Sequence, residues 1–244
     1  MYGAMAVTLP PKAPDRSLTE ACGLPLWAYR REHLHGCVVK AMRREQVPGV
    51  TELAARIDRD PPARERLRRS IAVATSGLFR DPDQLRFVDR DVLPSVTAGA
   101  RRVRVWSAGC GAGEEAFTVA AMLEWRGVLA RAEIVGSDVL QELLDEARTS
   151  VASGARIPAG LSGRVHWDLR DLATQPAPAN DFDLVLCRDL ITYLSVPAAQ
   201  AVEATLASAL GLGGIVVLGR HEVLERAEEL GLSPIAPNAY RRVR

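Results

Sequence analysis

Residues 101–124 read Arg101-Arg-Val-Arg-Val-Trp-Ser-Ala-Gly-Cys-Gly-Ala-Gly-Glu-Glu-Ala-Phe-Thr-Val-Ala-Ala-Met-Leu-Glu124, and the change of pattern inside this stretch decides the fold. Val103, Val105 and Trp106 have the β-branched and aromatic content of a buried strand. Gly109, Gly111 and Gly113 follow, and residues without a Cβ permit a sharp turn and a close backbone approach to a ligand. From Glu114 the period changes: Phe117, Ala120, Ala121 and Glu124 fall three and four apart, the spacing of a helix face. The stretch reads as strand, glycine loop, helix.

The glycine spacing narrows the ligand. Dinucleotide enzymes use G-x-G-x-x-G. Here the third glycine comes one residue early, as in the looser G-x-G-x-G loop common in enzymes that bind S-adenosylmethionine. Taken alone, such a loop also fits a tight turn with no ligand. The next landmark is Asp138, which closes Glu133-Ile-Val-Gly-Ser-Asp138. An acid at the end of a second strand, about 20 or more residues past the glycines, is placed to hold ribose hydroxyls. It also fits an N-cap for a helix over Val139–Arg148, and the two roles are compatible.

Outward from this stretch the pattern repeats. Strands are expected at Glu133–Ser137, Val165–Trp167, Phe182–Cys187 and Gly214–Leu218, with helices at Leu140–Ala147 and Pro197–Leu210. A last helix at Glu222–Leu230 leads to a hairpin-like end, Ile235–Val243. Ser150–Gly163 reads as a polar link. Alternating strands and helices predict a Rossmann-like α/β fold, a mostly parallel, doubly wound sheet whose ligands sit at the carboxyl ends of the strands. Upstream, Pro10, Pro11, Pro14 and Pro25 mark residues 1–25 as a flexible tail. Residues 26–80 are expected to form a small N-terminal helical domain, with helices at Trp27–Arg44, Glu52–Arg59 and from Asp60-Pro61-Pro62 to Ile71. Residues 81–244 form the α/β domain, opened by a helix over Gln84–Val92.

Composition sets bounds on function. A net charge of +1, with 48% hydrophobic and 25% charged residues, describes an ordinary globular chain with no general attraction to nucleic acid or membrane. No apolar run is long enough to span a bilayer, and no signal peptide is evident. Cys22, Cys37, Cys110 and Cys187 form no C-x-x-C pair, which fits a reduced cytoplasm better than disulfides or zinc. Arg56, Arg59, Arg64, Arg66, Arg68 and Arg69 crowd the helical segment, either as solvated faces balanced by nearby acids or as a docking face for an acidic protein. His33 and His35 read as surface or core-edge histidines rather than metal ligands.

The glycine loop, Asp138, Asp171 and Arg188-Asp189 all fall at carboxyl strand ends and so share one crevice. Singly, Asp171 and Asp189 read equally as loop or helix caps. Asp171 is also placed to accept from an adenine amino group.

Four blocks, in order, resemble the CheR-type chemotaxis receptor methyltransferases, which move a methyl group from S-adenosylmethionine to a glutamate side chain. Ser76-Gly-Leu-Phe-Arg80-Asp-Pro is similar to T-x-F-F-R. Val105-Trp-Ser-Ala-Gly-Cys-Gly-Ala-Gly-Glu-Glu115-Ala-Phe-Thr is similar to W-S-A-G-C-S-T-G-E-E-P-Y-S. Val185-Leu-Cys-Arg188-Asp189-Leu-Ile-Thr-Tyr193-Leu is similar to C-R-N-V-x-I-Y-F, and Gly213-Gly-Ile-Val-Val-Leu-Gly219-Arg-His-Glu222 to G-G-x-L-x-x-G-x-x-E. The resemblance implies a class I S-adenosylmethionine-dependent methyltransferase fold. It implies that Ser76 and Arg80 reach over the cofactor, that Glu115 holds its methionine end, Asp138 its ribose, and Asp171 and Leu172 its adenine. Arg188 and Asp189 would line the floor, while Tyr193 and Arg80 flank the transferring methyl.

The chain departs from that pattern in places. Asp189 and Asp171 stand where the family has asparagine, Ser76 replaces threonine, and Leu78 replaces the first phenylalanine. Two added carboxylates would repel an anionic acceptor unless protonated or paired with Arg188 or Arg80. The link 150–163 is too short for the three-stranded antiparallel subdomain that the family uses for receptor binding. Three functions follow as expectations: methylation of a protein glutamate in an acidic, receptor-like partner; the same core turned to a small-molecule acceptor; and a non-catalytic module that binds the cofactor and docks a partner. A nucleic-acid methyltransferase is disfavoured, because no N-P-P-Y-like or D-P-P-Y-like loop follows the fourth strand.

Overall fold

The computed structural model describes residues 16–74, 77–99, 102–152 and 154–244. They group into two units, one holding the described residues up to Val73 together with Tyr193–Val196, the other Ala74–Thr192 and Pro197–Arg244. Each is built on its own hydrophobic face.

The first unit is helical: α1 (Arg16–Cys22), α2 (Arg31–Glu45), α3 (Val50–Arg59) and α4 (Pro61–Ile71). The proline-rich reading of residues 1–25 as a tail is corrected from Arg16 onward. Leu18 and Cys22, one turn apart, are buried in this unit, as is Leu24, and Arg68 Nη1 donates to the Cys22 carbonyl at 2.8 Å to close the end of α1. Leu26–Ala28 form a 3-10 turn rather than the start of α2. Asp60 caps α4 by accepting from Ala63 N at 3.1 Å, with Pro61 at the first helical position. The arginines are largely engaged inside the unit. Arg56 and Arg66 converge on Glu45, Arg69 pairs with Glu65, and Arg64 donates to the carbonyls of Ile57 and Asp58. That favours balanced helix faces over an unpaired basic docking face. His33 takes the core-edge position, its Nε2 lying 2.8 Å from the Ile71 carbonyl. A bridge between Tyr29 and Leu194, with Arg30 N donating to Tyr193 O at 2.8 Å and Ser195 N to Ala28 O at 2.8 Å, makes Tyr193–Val196 part of this unit.

The second unit opens with α5 (Pro82–Phe87), a widened turn over Val88–Val92 and α6 (Leu93–Thr97). It continues with β1 (Val103–Ala108), α7 (Glu114–Trp125), β2 (Ala132–Asp138), α8 (Gln141–Arg148), β3 (Val151–Ala152), β4 (Ala155–Arg156), α9 (Ala159–Ser162) and β5 (Val165–Leu169). Then come β6 (Phe182–Cys187), α10 (Val196–Ala209), β7 (Leu210–Leu218), β8 (Leu232–Ala236) and β9 (Ala239–Arg242). The sheet order is β5-β2-β1-β6-β7-β9-β8. The first five strands are parallel, and β9 runs antiparallel to both β7 and β8. This is the doubly wound sheet expected from the sequence. Chain order runs outward in both directions from β1, so the switch point lies between β1 and β6, where such sheets place their ligands.

Burial follows the strand pattern. Val103, Val105, Leu184, Leu186, Ile215 and Val217 share a cluster with Phe117 and Leu123 of α7. Trp106 is fully buried, its ring 5.7 Å from Phe182 and its Nε1 donating to Ser137 Oγ at 2.9 Å. Each such apolar side chain contributes about 1.5–3 kcal/mol of burial. All four cysteines are buried and unbridged, and no helix among the described residues is long and apolar enough to cross a membrane.

Two expectations are corrected here. Residues 222–230 form no helix, and 225–230 are turns. Leu224 N donates to the Tyr240 hydroxyl at 3.1 Å and Glu225 N to Glu203 Oε1 at 3.3 Å, while the Glu222 carboxylate turns inward. The link 150–163, read as polar, also buries Ala152 and Ile157 and holds the two-residue strands β3 and β4 and one helical turn.

Glu203 makes a test of this packing. It is 3% exposed, and its Oε2 has no hydrogen-bond partner among the described residues. Burial raises its pKa. An acid whose folded-state pKa is raised stabilises the fold below its unfolded pKa and loses that contribution as pH climbs through the folded value. Glu203→Gln is therefore expected to gain roughly 1 kcal/mol relative to the parent chain between acid and neutral pH. Urea unfolding at each pH measures it, and a pH-independent difference would contradict it.

Candidate functional site

The glycine loop is fixed to the ends of β1 and β2. Gly109 N and Cys110 N both donate to the Ser137 carbonyl, at 2.8 and 2.9 Å. Gly109, Gly111 and Gly113 all take left-handed φ, at 75, 58 and 89°, a region that a Cβ penalises. Gly113 has a second constraint: a Cβ there would stand 2.6 Å from the Trp167 ring and 3.0 Å from Ala147. That glycine serves the packing of α7 on the sheet, while Gly109 and Gly111 shape the loop itself.

Asp138 organises the loop from the other side. Its Oδ2 accepts from Gly111 N at 2.9 Å and its Oδ1 from Leu140 N at 2.9 Å, so it acts as cap and loop tie at once. The residue is 8% exposed. Burial raises its pKa, against the lowering effect of those amides. Asp138→Ala is expected to weaken nucleoside-ligand binding by roughly 1–3 kcal/mol, the scale of hydrogen bonds to a charged group. Affinity should also fall as acid pH protonates the group. Calorimetry across pH checks both, and unaltered binding would leave Asp138 as a cap alone.

Glu115, in the first turn of α7, accepts from Ser107 Oγ at 2.6 Å and from Arg188 Nη1 at 3.3 Å. Burial raises its pKa, with Arg188 as the largest opposing influence. Arg188 is the hub: its side chain is 6% exposed. Its Nε donates to Gln84 Oε1 at 2.7 Å, and its Nη2 to Asp81 Oδ2 at 2.8 Å and to the Arg80 carbonyl at 3.0 Å. Gln84 in turn donates to Leu218 O at 2.6 Å, tying α5 to the end of β7. The Arg80 side chain is half-exposed and lies 3.2 Å from Asp189 Oδ2 and 3.6 Å from Asp81 Oδ2. The carboxylate that replaces the family's asparagine at position 189 is thus paired with Arg80. Asp189 has φ 58°, and its amide donates to Glu222 Oε2 at 2.8 Å. Glu222 also accepts from Thr192 N at 3.0 Å and Gly219 N at 2.9 Å, which closes the carboxyl ends of β6 and β7 around one buried carboxylate.

Several of the site residues named from the sequence are joined at the carboxyl ends of β1, β2 and β6: Gly111 to Asp138, Glu115 to Arg188, and Arg80 to Asp189, with Gly109 on the Ser137 carbonyl. Leu172 is buried nearby in sequence to Asp171. The Asp171 carboxylate is spent on its own turn, accepting from Ala173 N at 3.0 Å and Thr174 Oγ1 at 2.7 Å, which is the capping alternative. Tyr193 belongs to the helical unit, its ring 4.9 Å from His33. Ser76 lies outside the described residues. Sequence reading missed Asp81, Gln84 and Ser107, and did not count Glu222 as a site residue. Nothing marks Gln84 in the sequence, because only the fold brings it to Arg188.

The Cys110 and Cys187 thiols, buried among carboxylates, have their pKa pushed well up, so neither offers a thiolate nucleophile. The glycine loop at the switch point thus has a buried carboxylate at position 138 and a part-buried one at position 115. That set fits a nucleoside ligand carrying positive charge, such as a sulfonium.

Comparison with known proteins agrees. The profile described as "CheR methyltransferase, SAM binding domain" matches residues 74–164 and 151–235. The chain is 24% identical over 240 residues to the chemotaxis protein methyltransferase Cher2 of Pseudomonas putida, covering 85% of this chain and 87% of that one. It is 23% identical over 239 residues to chemotaxis protein methyltransferase 1 of Pseudomonas aeruginosa, covering 85% and 87%. The glycine loop, the parallel sheet with its switch point at β1 and β6, and these matches have one source: the chain belongs to the CheR methyltransferase family, with the class I S-adenosylmethionine-dependent methyltransferase fold and S-adenosylmethionine as its cofactor.

Proposed function

We propose that this enzyme transfers the cofactor's methyl group to a carboxylate, the side chain of a glutamate in a receptor-like protein, leaving a methyl ester and S-adenosylhomocysteine. In this reading Glu115 holds the methionine end of the cofactor, Asp138 the ribose and the glycine loop the backbone approach. Arg80 orients the acceptor. The reaction is a direct displacement: a carboxylate oxygen forms the bond to the methyl carbon as the carbon–sulfur bond breaks, and the sulfonium takes the electron pair.

One observation carries the choice of a carboxylate. Each of the described carboxylates joined at this site is already committed: Glu115 to Ser107 and Arg188, Asp81 to Arg188, Asp138 to two amides, Asp189 to Arg80, and Glu222 to three amides. None is left to serve as a general base. A glutamate acceptor needs none, since it is ionised at neutral pH. It needs alignment, and a half-exposed guanidinium with a planar fork supplies that.

A second reading, a small-molecule hydroxyl acceptor, draws on His221. This residue is exposed at the carboxyl end of β7 and would supply the missing base. The small size of the β3–β4 hairpin also suits a small acceptor. The test is transfer from methyl-tritiated S-adenosylmethionine to a soluble cytoplasmic chemoreceptor fragment, followed by alkali. Volatile methanol released from the protein band is expected. Alkali-stable label, found only with a hydroxyl acceptor and lost in His221→Ala, would overturn the carboxyl reading in favour of the second.

A further inference from the structure

The segment Gly77–Asp81 carries Arg80 between two residues in an unusual conformation. Phe79 has φ 55° and Asp81 φ 57°. Left-handed φ in a bulky aromatic is a local strain that persists only where the surroundings over-determine it. Within the segment there is a turn bond from Arg80 N to Gly77 O at 3.3 Å. Arg188 holds the far end, its Nη2 donating to the Arg80 carbonyl and to Asp81 Oδ2, and α7 holds Phe79. Phe79 N donates to Thr118 Oγ1 at 3.2 Å, and Thr118 Oγ1 donates to Glu114 O at 2.7 Å, which fixes the hydroxyl's direction. The Phe79 ring lies parallel to that of Trp125, with centroids 5.8 Å apart and planes at 9°.

Trp125 is the last residue of α7 and is 71% exposed. An indole so exposed adds little to the core, yet it stacks on the aromatic one of the two left-handed residues that flank Arg80. The helix explains how. Glu114, Thr118 and Trp125 are separated by four and seven residues, so they lie on one stripe; of the two residues that flank it between Thr118 and Trp125, Ala121 has no side chain beyond Cβ and Met122 is buried in the core. One helix therefore carries Glu115 at its crevice end, a backbone anchor for Phe79 one turn on, and a ring anchor two turns further.

We propose that Trp125 is a positioning residue for the methyl-transfer site: with Thr118 it clamps Phe79 in its left-handed conformation and so fixes the backbone from which the Arg80 guanidinium reaches the acceptor. The functional half of this inference rests on the role of Arg80 proposed above, whereas the clamp itself does not. Stacked aromatic pairs contribute beyond their burial, and loss of this one should let the strained turn open while the core, which Trp125 barely enters, stays intact.

Trp125→Ala, Trp125→Phe and Arg80→Ala in the full chain separate these statements. Hydrogen exchange over residues 77–81 is expected to quicken about tenfold in Trp125→Ala. It should return to the parent rate in Trp125→Phe, which restores a ring. Thermal midpoint and S-adenosylhomocysteine affinity should be unchanged in both. With the chemoreceptor fragment as acceptor, Trp125→Ala should raise KM for the fragment more than it lowers kcat. Parent-like exchange in Trp125→Ala overturns the clamp whatever the kinetics. Faster exchange with unaltered acceptor kinetics in both Trp125→Ala and Arg80→Ala keeps the clamp and overturns the role of Arg80. Unaltered kinetics in Trp125→Ala alone overturns the functional half of the inference and leaves Arg80 in place.

Discussion

Arg188→Ala is expected to lower the stability of the α/β unit by roughly 3–5 kcal/mol, the cost of stripping one partner from a buried ion pair. The side chain is 6% exposed and carries four polar contacts, to Glu115, Asp81, Gln84 and the Arg80 carbonyl. Without it, Glu115 keeps only Ser107 in a site where burial already raises its pKa. The loss is therefore mainly the penalty of an uncompensated carboxylate. The sign with pH follows. Once acid protonates Glu115 the penalty is relieved, so the deficit of the variant should shrink as pH falls. Arg188→Lys should recover little, because an ammonium cannot hold Gln84, Asp81 and Glu115 with one planar fork. Arg188→Met combined with Glu115→Gln should recover more than either single change. Urea unfolding of the set measures these differences. An Arg188→Ala loss below about 1 kcal/mol would mean the hub is no stronger than a surface pair.

Arg80→Ala should cut methyl transfer by about 100-fold or more, the scale on which a misplaced reacting group costs rate, with S-adenosylhomocysteine affinity nearly unchanged. Arg80 and Arg188 lie at one crevice with opposite assignments. Arg188 is buried and ties α5, α7 and β6 together. Arg80 is half-exposed, its described ion pairs are with Asp81 and Asp189 at the edge of solvent, and it contributes little to folding. Its effect should therefore fall on the acceptor. Arg80→Lys retains the charge and loses the fork, and should lie between the parent and the alanine variant. Asp189→Asn removes the carboxylate that competes for the same guanidinium, so it should strengthen the grip on an anionic acceptor and lower its KM. Stopped-time assays with titrated acceptor read all three, and a parent-like rate in Arg80→Ala would remove Arg80 from the mechanism.

Much of the fold was legible because its signals are local. β6 at Phe182–Cys187 and α7 at Glu114–Trp125 fall where the residue pattern puts them. A buried parallel strand is a run of apolar residues, and the glycine loop marks the turn between strand and helix. Failures occurred where side chains from elsewhere intervened. Residues 222–230 have helical composition but form no helix, with the Glu222 carboxylate turned inward and Leu224 N and Glu225 N bonded to Tyr240 and Glu203. Residues 16–24 look like the end of a proline-rich tail, and only burial of Leu18, Cys22 and Leu24 orders them.

The site divides in the same way. The sequence alone determined the order of the five parallel strands and of α7, α8 and α10, the glycine loop, and the acids at the strand ends, since each of these is set by neighbours a few residues away. Tertiary structure decided what those acids do. Asp138 joins a loop to a helix, Asp171 spends both oxygens on its own turn, and Asp189 pairs with Arg80 from more than 100 residues earlier in the chain. A charge's partner depends on which strand ends the fold brings together, and in a doubly wound sheet those ends are remote in sequence and adjacent in space.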